Sequence, residues 1–137
     1  TGITVICVNN NNIIYGKTVN SFNSLSLNPP MVLFSLGNYS SSINKFSKAK
    51  FLSINILSNK QKNLSNNFAS STPELENINF IQGKNKTVII PNCIANLECK
   101  VTDKIKKGDH IIFICKILEL QSNDKLKPLL YFNSKYF

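Results

Sequence analysis

The sequence predicts a single mainly-β domain, a small antiparallel barrel with two short flanking helices. Three observations carry that expectation. Short β-branched and apolar runs recur along the whole chain, separated by Asn, Gly, Pro and Lys clusters that punctuate strands. Only two stretches are compatible with a helix, and both are brief. Many short strands with little helix fit a barrel that buries one face of a curled sheet.

Taken in order, Ile3–Val8 is a β-branched run that stops at the asparagine run Asn9–Asn12, a hairpin signal, and Ile13–Asn20 resumes the extended pattern. Asn28-Pro29-Pro30 interrupts the chain before Met31–Leu36, a further strand. Ser42–Lys48 is a short helix. Phe51–Leu57 is the next strand. Ser58–Ala69 is the better helix, with a serine or asparagine to cap its start and Leu64 and Phe68 on one face at i, i+4. Ser70–Gln82 has no period and is expected to run as a loop over the barrel. Ala95–Asp103 and His110–Leu120 pair through a turn at Lys106–Asp109, and Leu129–Phe132 is a short last strand behind Pro128.

Composition narrows the function classes. A chain of 137 residues with 42% hydrophobic and 17% charged content buries a real core and is not disordered. The longest apolar run, Ile111–Cys115, is far short of the roughly 20 residues that span a bilayer, so no membrane partner is expected. All sixteen basic residues are lysine, and the net charge is +9. The lysines are scattered, and arginine, the usual base-reading residue, is absent, so no nucleic-acid partner is expected either. Cys7, Cys93, Cys99 and Cys115 form no Cys-x-x-Cys pair and His110 is the only histidine, so no metal site is expected. Buried free thiols in a reducing cytoplasm are the expected state.

The segment Thr18-Val19-Asn20-Ser21-Phe22-Asn23-Ser24-Leu25-Ser26-Leu27-Asn28-Pro29-Pro30 resembles the signature of the flavin reductase-like domain family, the FMN-binding split barrels that include the reductase components of two-component flavin-dependent monooxygenases. Further motifs stand in the same order: Thr1–Val5, Ser40–Ile43, Phe51–Leu57, Phe68-Ala69, Leu97–Val101, Gly108-Asp109-His110, and Pro128–Phe132 followed by Lys135-Tyr136. The resemblance covers residues 1–137, with the family's helix before the Thr-Gly pair missing. The family's phosphate loop often carries a basic residue near Asn38 or Tyr39, and here neither is basic.

The resemblance implies a Greek-key split barrel and an NAD(P)H-dependent flavin reductase. Its cofactors would be FMN or FAD with NADH or NADPH. It also implies a homodimer that supplies reduced flavin to a monooxygenase. The flavin ring would lie against Thr18, Val19, Asn20, Ser21 and Phe22, whose backbone N–H groups suit the negative charge of a reduced ring. Ser24 and Leu25 would follow the ribityl chain. Tyr39, Ser40, Ser41, Ser42 and Lys45 would cradle the phosphate, and hydroxyls with free N–H groups before a helix suit an anion. Asn55, mid-strand among apolar residues, is either a further flavin contact or a structural tie. His110 would position the nicotinamide, with Ser134, Lys135 and Tyr136 meeting the dinucleotide. Hydride transfer between two aligned rings needs no acid or base, so no residue is assigned one. The alternatives are a flavin-binding electron carrier of the same fold and a basic nucleic-acid-binding barrel.

Overall fold

The computed structural model describes residues 1–137 throughout. Seven strands form one antiparallel sheet: β1 (Thr4–Asn10), β2 (Ile13–Val19), β3 (Asn23–Leu27), β4 (Pro30–Gly37), β5 (Phe51–Ile56), β8 (Ala95–Lys107) and β9 (His110–Ser122). Two small hairpins are added by β6 (Ile81–Gln82) with β7 (Val88–Ile89) and by β10 (Tyr131–Phe132) with β11 (Lys135–Tyr136). The helices are α1 (Ile43–Ser47) and α2 (Lys62–Ala69).

The sheet order is β2-β1-β5-β8-β9-β4-β3. β4 and β5 are consecutive in the chain but have β9 and β8 between them, so the α1 connection crosses one end of the sheet. The sheet curls until strands from both halves share one interior. Ile6 and Val8 of β1, Val32, Phe34 and Leu36 of β4, Leu52 and Ile54 of β5, and Phe113 and Cys115 of β9 all belong to one buried cluster, with Phe46 of α1 among them. No ladder joins the edge strands β2 and β3, which is what splits the barrel. At the split, Ser21 bridges to β4: its hydroxyl donates to the Ser35 carbonyl (3.1 Å) and accepts from the Ser35 N–H (3.0 Å).

β1 reads as a continuous apolar run because it is buried on both faces. Ile6 and Val8 point into the barrel, while Ile3, Val5 and Cys7 face a second cluster with Leu57, Phe68, Ile90, Cys93 and Leu129. Inside the barrel Phe34 and Phe113 are opposite each other in register and stack at 5.0 Å, a cross-strand aromatic pair. α2 lies on the outer face of β2 at Gly16, where an added Cβ would collide with the Phe68 ring. Glycine at that position is what lets the fully buried Phe68 ring reach the sheet.

The asparagine run turns as expected. Asn11 and Asn12 both adopt left-handed φ (52° and 69°) between the paired Asn10 and Ile13, the two-residue hairpin turn that asparagine tolerates. Four differences from the sequence reading have physical causes. β3 is a strand within the serine-rich segment, where low strand propensity hides it and backbone pairing with β4 holds it. β8 runs on to Lys107 because its polar outer half pairs through its backbone with β9. α2 begins at Lys62 rather than Ser58: Ser58 bridges to Pro128, and its N–H donates to the Gln61 side chain (2.9 Å). The 70–82 stretch is largely irregular, as expected, but β6 closes it. It is pinned by the Asn67 amide, which both donates to the Glu74 carbonyl and accepts from its N–H.

All four cysteines are free and buried. Burial pushes the Cys93 thiol up to about 11 and the Cys115 thiol to about 12, and raises Cys7 and Cys99 further. The unfolded chain ionises its thiols near 9, so above that pH it holds fewer protons than the native state. Stability is therefore expected to fall as pH rises from 9 toward 11. Urea midpoints at pH 8, 9 and 10 check the sign, and native thiols should resist iodoacetamide at pH 8 until urea unfolds the chain.

Candidate active-site groove

The C-terminal half of β2 faces two adjoining clefts. The first, of about 280 Å³, is lined by Thr18, Val19, Asn20 and Ser21 on one side, with Tyr39, Ser40 and His110 opposite. The second, of about 390 Å³, holds Tyr15, Ser41, Ser42 and Lys45. Lys17 lines both, so they form one groove running from His110 to the start of α1. Neither cleft is lined by a carboxylate, and the two lysines give the groove a positive potential that suits an anionic ligand.

The side chains and the backbone divide the work. The Thr18 hydroxyl is committed to the Ser65 carbonyl (2.7 Å), and that of Ser21 to Ser35. Their donor protons are spent within the chain, so these hydroxyls hold the wall in place and can meet a ring only as acceptors. The N–H groups of Asn20, Ser21 and Phe22 make no bond within the chain, because β2 ends at Val19 and has no neighbour on that edge. Phe22 packs against the barrel core, which anchors this row of donors.

Opposite, residues 38–42 are tied to the turn before β9 through the Asn38 N–H donating to the Asp109 carbonyl (2.9 Å). The N–H groups of Tyr39, Ser41 and Ser42 are likewise unengaged, and the Ser40 and Ser42 hydroxyls lie 3.3 Å apart. Lys45 lies 5.8 Å above the Tyr15 ring, a cation–π distance that holds its ammonium on this side. His110 pairs through Nδ1 with the Asp109 carboxylate at 2.7 Å and meets the Tyr39 ring edge-on at 6.5 Å. The hydrogen bond from His110 holds the Asp109 carboxyl below the usual carboxylate range.

Other expected residues lie elsewhere. Asn55 is completely buried and lines neither cleft. Its amide donates to the Val5 carbonyl (3.0 Å) and the Ser53 hydroxyl (3.1 Å), and accepts from the Ile90 N–H (3.0 Å) and the Asn96 amide (2.8 Å). Of its two expected roles, the geometry is that of a tie between strands. Ser24 and Leu25 sit on the edge strand β3, outside the groove. Tyr136 is held in place: its hydroxyl meets that of Ser65 at 2.9 Å, and it lines a side hollow of about 210 Å³ shared with Thr18, Val19 and Asn20. Ser134 and Lys135 stand at the exposed tip and strand of the same hairpin and line none of these hollows. Lys17 was missed by sequence reasoning. Its alternation with Tyr15 on β2 was the available signal.

Comparison with known proteins gives these clefts a context. The family model described as "Flavin reductase like domain" matches residues 1–137. The FMN reductase (NADH) SmoA of Agrobacterium fabrum is 33% identical over 124 residues, 90% of this chain and 71% of that protein. The flavin-dependent monooxygenase reductase subunit HsaB of Mycobacterium tuberculosis is 31% identical over 139 residues, 99% of this chain and 74% of that protein. The solved flavin reductase PheA2 in its native state superposes with a TM-score of 0.92 at 35% identity, covering all of this chain and 88% of that one. The chain spans between 44% and 77% of the length of several curated relatives that it matches, 44% in the case of a probable flavin reductase of Rhizobium meliloti. A match that runs from the first residue to the last, on a split barrel shared with a solved flavin reductase, makes this chain a member of the flavin reductase-like domain family.

Proposed function

We propose that this chain reduces FMN or FAD with NADH or NADPH and passes the reduced flavin to a partner monooxygenase. One observation carries the reading: a single groove brings the Asn20-Ser21 segment with its unengaged backbone donors, the serine loop with Lys45, and His110 into line. The fit of a flavin rests on that donor set. The N–H groups at Asn20, Ser21 and Phe22 suit the polar edge of the ring, and Ser40, Ser41, Ser42, Lys17 and Lys45 suit the phosphate. When bound, the flavin supplies a ring that accepts hydride from the nicotinamide. The protein positions the two rings face to face and presents fixed dipoles where charge develops. His110, fixed by Asp109 and Tyr39, borders the end of the groove where the nicotinamide would enter. Tyr136 closes the neighbouring hollow.

The monooxygenase partner is inferred from relatives such as HsaB, whose name makes it a reductase subunit. A homodimer as the working form is supported by the unpaired edge of β3, where Leu27 is 94% exposed and Leu25 48%. Four buried free thiols support a reducing, cytoplasmic setting. No helix is long and apolar enough to cross a membrane.

The test is oxidation of NADH and NADPH at 340 nm with and without added FMN or FAD. Oxidation that depends on added flavin is the expected result. A yellow protein that oxidises neither nicotinamide would instead be an electron carrier. His110→Ala is expected to raise the nicotinamide KM about tenfold, the value of one lost hydrogen bond or ring contact, and to leave flavin affinity unchanged. An unaltered KM would remove His110 from the site.

A further inference from the structure

Strand β2 carries Tyr15, Lys17 and Val19 on one face, since alternate residues of a strand point the same way. Tyr15 and Val19 both pack against the barrel core, so the position between them would suit an apolar side chain. Lysine can lay its stem along apolar surface and still deliver its ammonium to water, here at the opening where the barrel splits. Lys17 is half-buried, and its backbone is fixed by pairing with Ile6 of β1. Its ammonium enters no salt bridge and no hydrogen bond within the chain, whereas Lys84 pairs with Glu119 and Lys104 donates to the Ser47 carbonyl.

Its place along the groove sets Lys17 apart from Lys45. Of the two adjoining clefts, Lys45 lines only the serine-loop one, whereas Lys17 lines that cleft and also the one walled by Thr18–Ser21. In the Thr18–Ser21 cleft Lys17 is the one permanently charged side chain. His110, the other group there that can carry positive charge, is paired with the Asp109 carboxylate at 2.7 Å, which offsets any charge it gains.

Hydride transfer gives such a cation a specific target. Hydride from NADH or NADPH carries two electrons and one proton; the nicotinamide leaves as its oxidised cation, and the accepting flavin ring gains one negative charge. The phosphate carries the same charge before and after. A cation that meets only the phosphate therefore holds oxidised and reduced flavin alike, and a cation beside the ring favours the reduced form. We propose that Lys17 acts on the ring as well as on the phosphate, stabilising the negative charge of the reduced ring and so raising the midpoint potential of the bound flavin. The proposal rests on the flavin-binding reading above.

Anaerobic titration of the full chain with FMN and with riboflavin, each oxidised and dithionite-reduced, together with the midpoint potential of the bound flavin, tests it. Lys17→Gln is expected to weaken reduced FMN about tenfold more than oxidised FMN, which lowers the potential by about 30 mV for a two-electron couple. Riboflavin, which has no phosphate, should show the same difference between its two states. Lys45→Gln should weaken both states of FMN alike and leave the potential where it was. Lys17→Arg keeps the charge and should keep most of the wild-type potential; a fall as large as that in Lys17→Gln makes the effect one of shape and overturns the proposal. Equal weakening of oxidised and reduced FMN by Lys17→Gln, or none, also overturns it and leaves the flavin-binding reading standing. Wild-type protein that binds neither flavin in either state overturns that reading itself.

Discussion

Asn55→Leu is expected to destabilise the fold by about 4 kcal/mol, because it orphans several buried polar groups at once. Asn55 is fully buried at the crossing of β1, β5, β8 and the segment after β7. Its Oδ1 satisfies the Ile90 N–H and the Asn96 amide, and its Nδ2 satisfies the Val5 carbonyl and the Ser53 hydroxyl. Leucine has a similar volume, so the loss comes from unpaired donors and acceptors rather than from a cavity. Each such group costs about 1–3 kcal/mol, and Asn96 recovers part of the loss through its own bond to the Ile90 carbonyl (2.9 Å). For a domain whose whole stability is about 5–15 kcal/mol, Tm should fall by about 10–15 °C. Thermal and urea unfolding measure this. A loss below about 1 kcal/mol accompanied by a collapse in flavin affinity would make Asn55 a ligand contact instead.

Lys45→Glu is expected to weaken flavin binding about 50-fold, whichever flavin is used, with the fold intact. The substitution removes an ammonium beside the serine loop and puts a carboxylate where a phosphate is expected, so attraction becomes repulsion. Lys45 is only partly exposed and its ammonium is held near the Tyr15 ring, which limits how far the charge can withdraw into solvent. Glutamate loses that cation–π contact as well, a minor stability cost of about 0.5–1 kcal/mol at such a site. Titration of FMN and FAD against the variant at low and moderate salt gives the answer. The difference from wild type should narrow with salt. A loss confined to FAD would move Lys45 from the phosphate that both flavins share to the part that only FAD carries. No loss for either flavin would place the phosphate elsewhere.

The strand order could not be read from the sequence, but most strands could. Ile3–Val8, Phe51–Leu57 and the 110–120 segment announce themselves because burial on one or both faces demands β-branched and aromatic residues there. The Asn11-Asn12 turn was legible because few residues other than asparagine and glycine accept two consecutive left-handed φ values. The family motifs likewise lie in local stretches whose chemistry survives without knowing their neighbours. Strand β3 was not legible, since its stability comes from hydrogen bonds to β4 and not from its own serine-rich side chains.

For the site, the family resemblance pointed to Thr18–Phe22, Ser40–Ser42, Lys45 and His110, and the tertiary structure lines one groove with all of them but Phe22, which packs on the core. What each group contributes is a property of partners distant in sequence. Thr18 gives its hydroxyl to Ser65, 47 residues away, and Asn55 is satisfied by Ile90 and Asn96, 35 and 41 residues away. A polar side chain reads the same in sequence whether it faces a ligand or closes a buried network. The sequence by itself thus determined the class of fold, the family and the short segments from which a site could be made. Only the tertiary structure decided which donors were left unspent, because that depends on long-range pairing that no local pattern encodes.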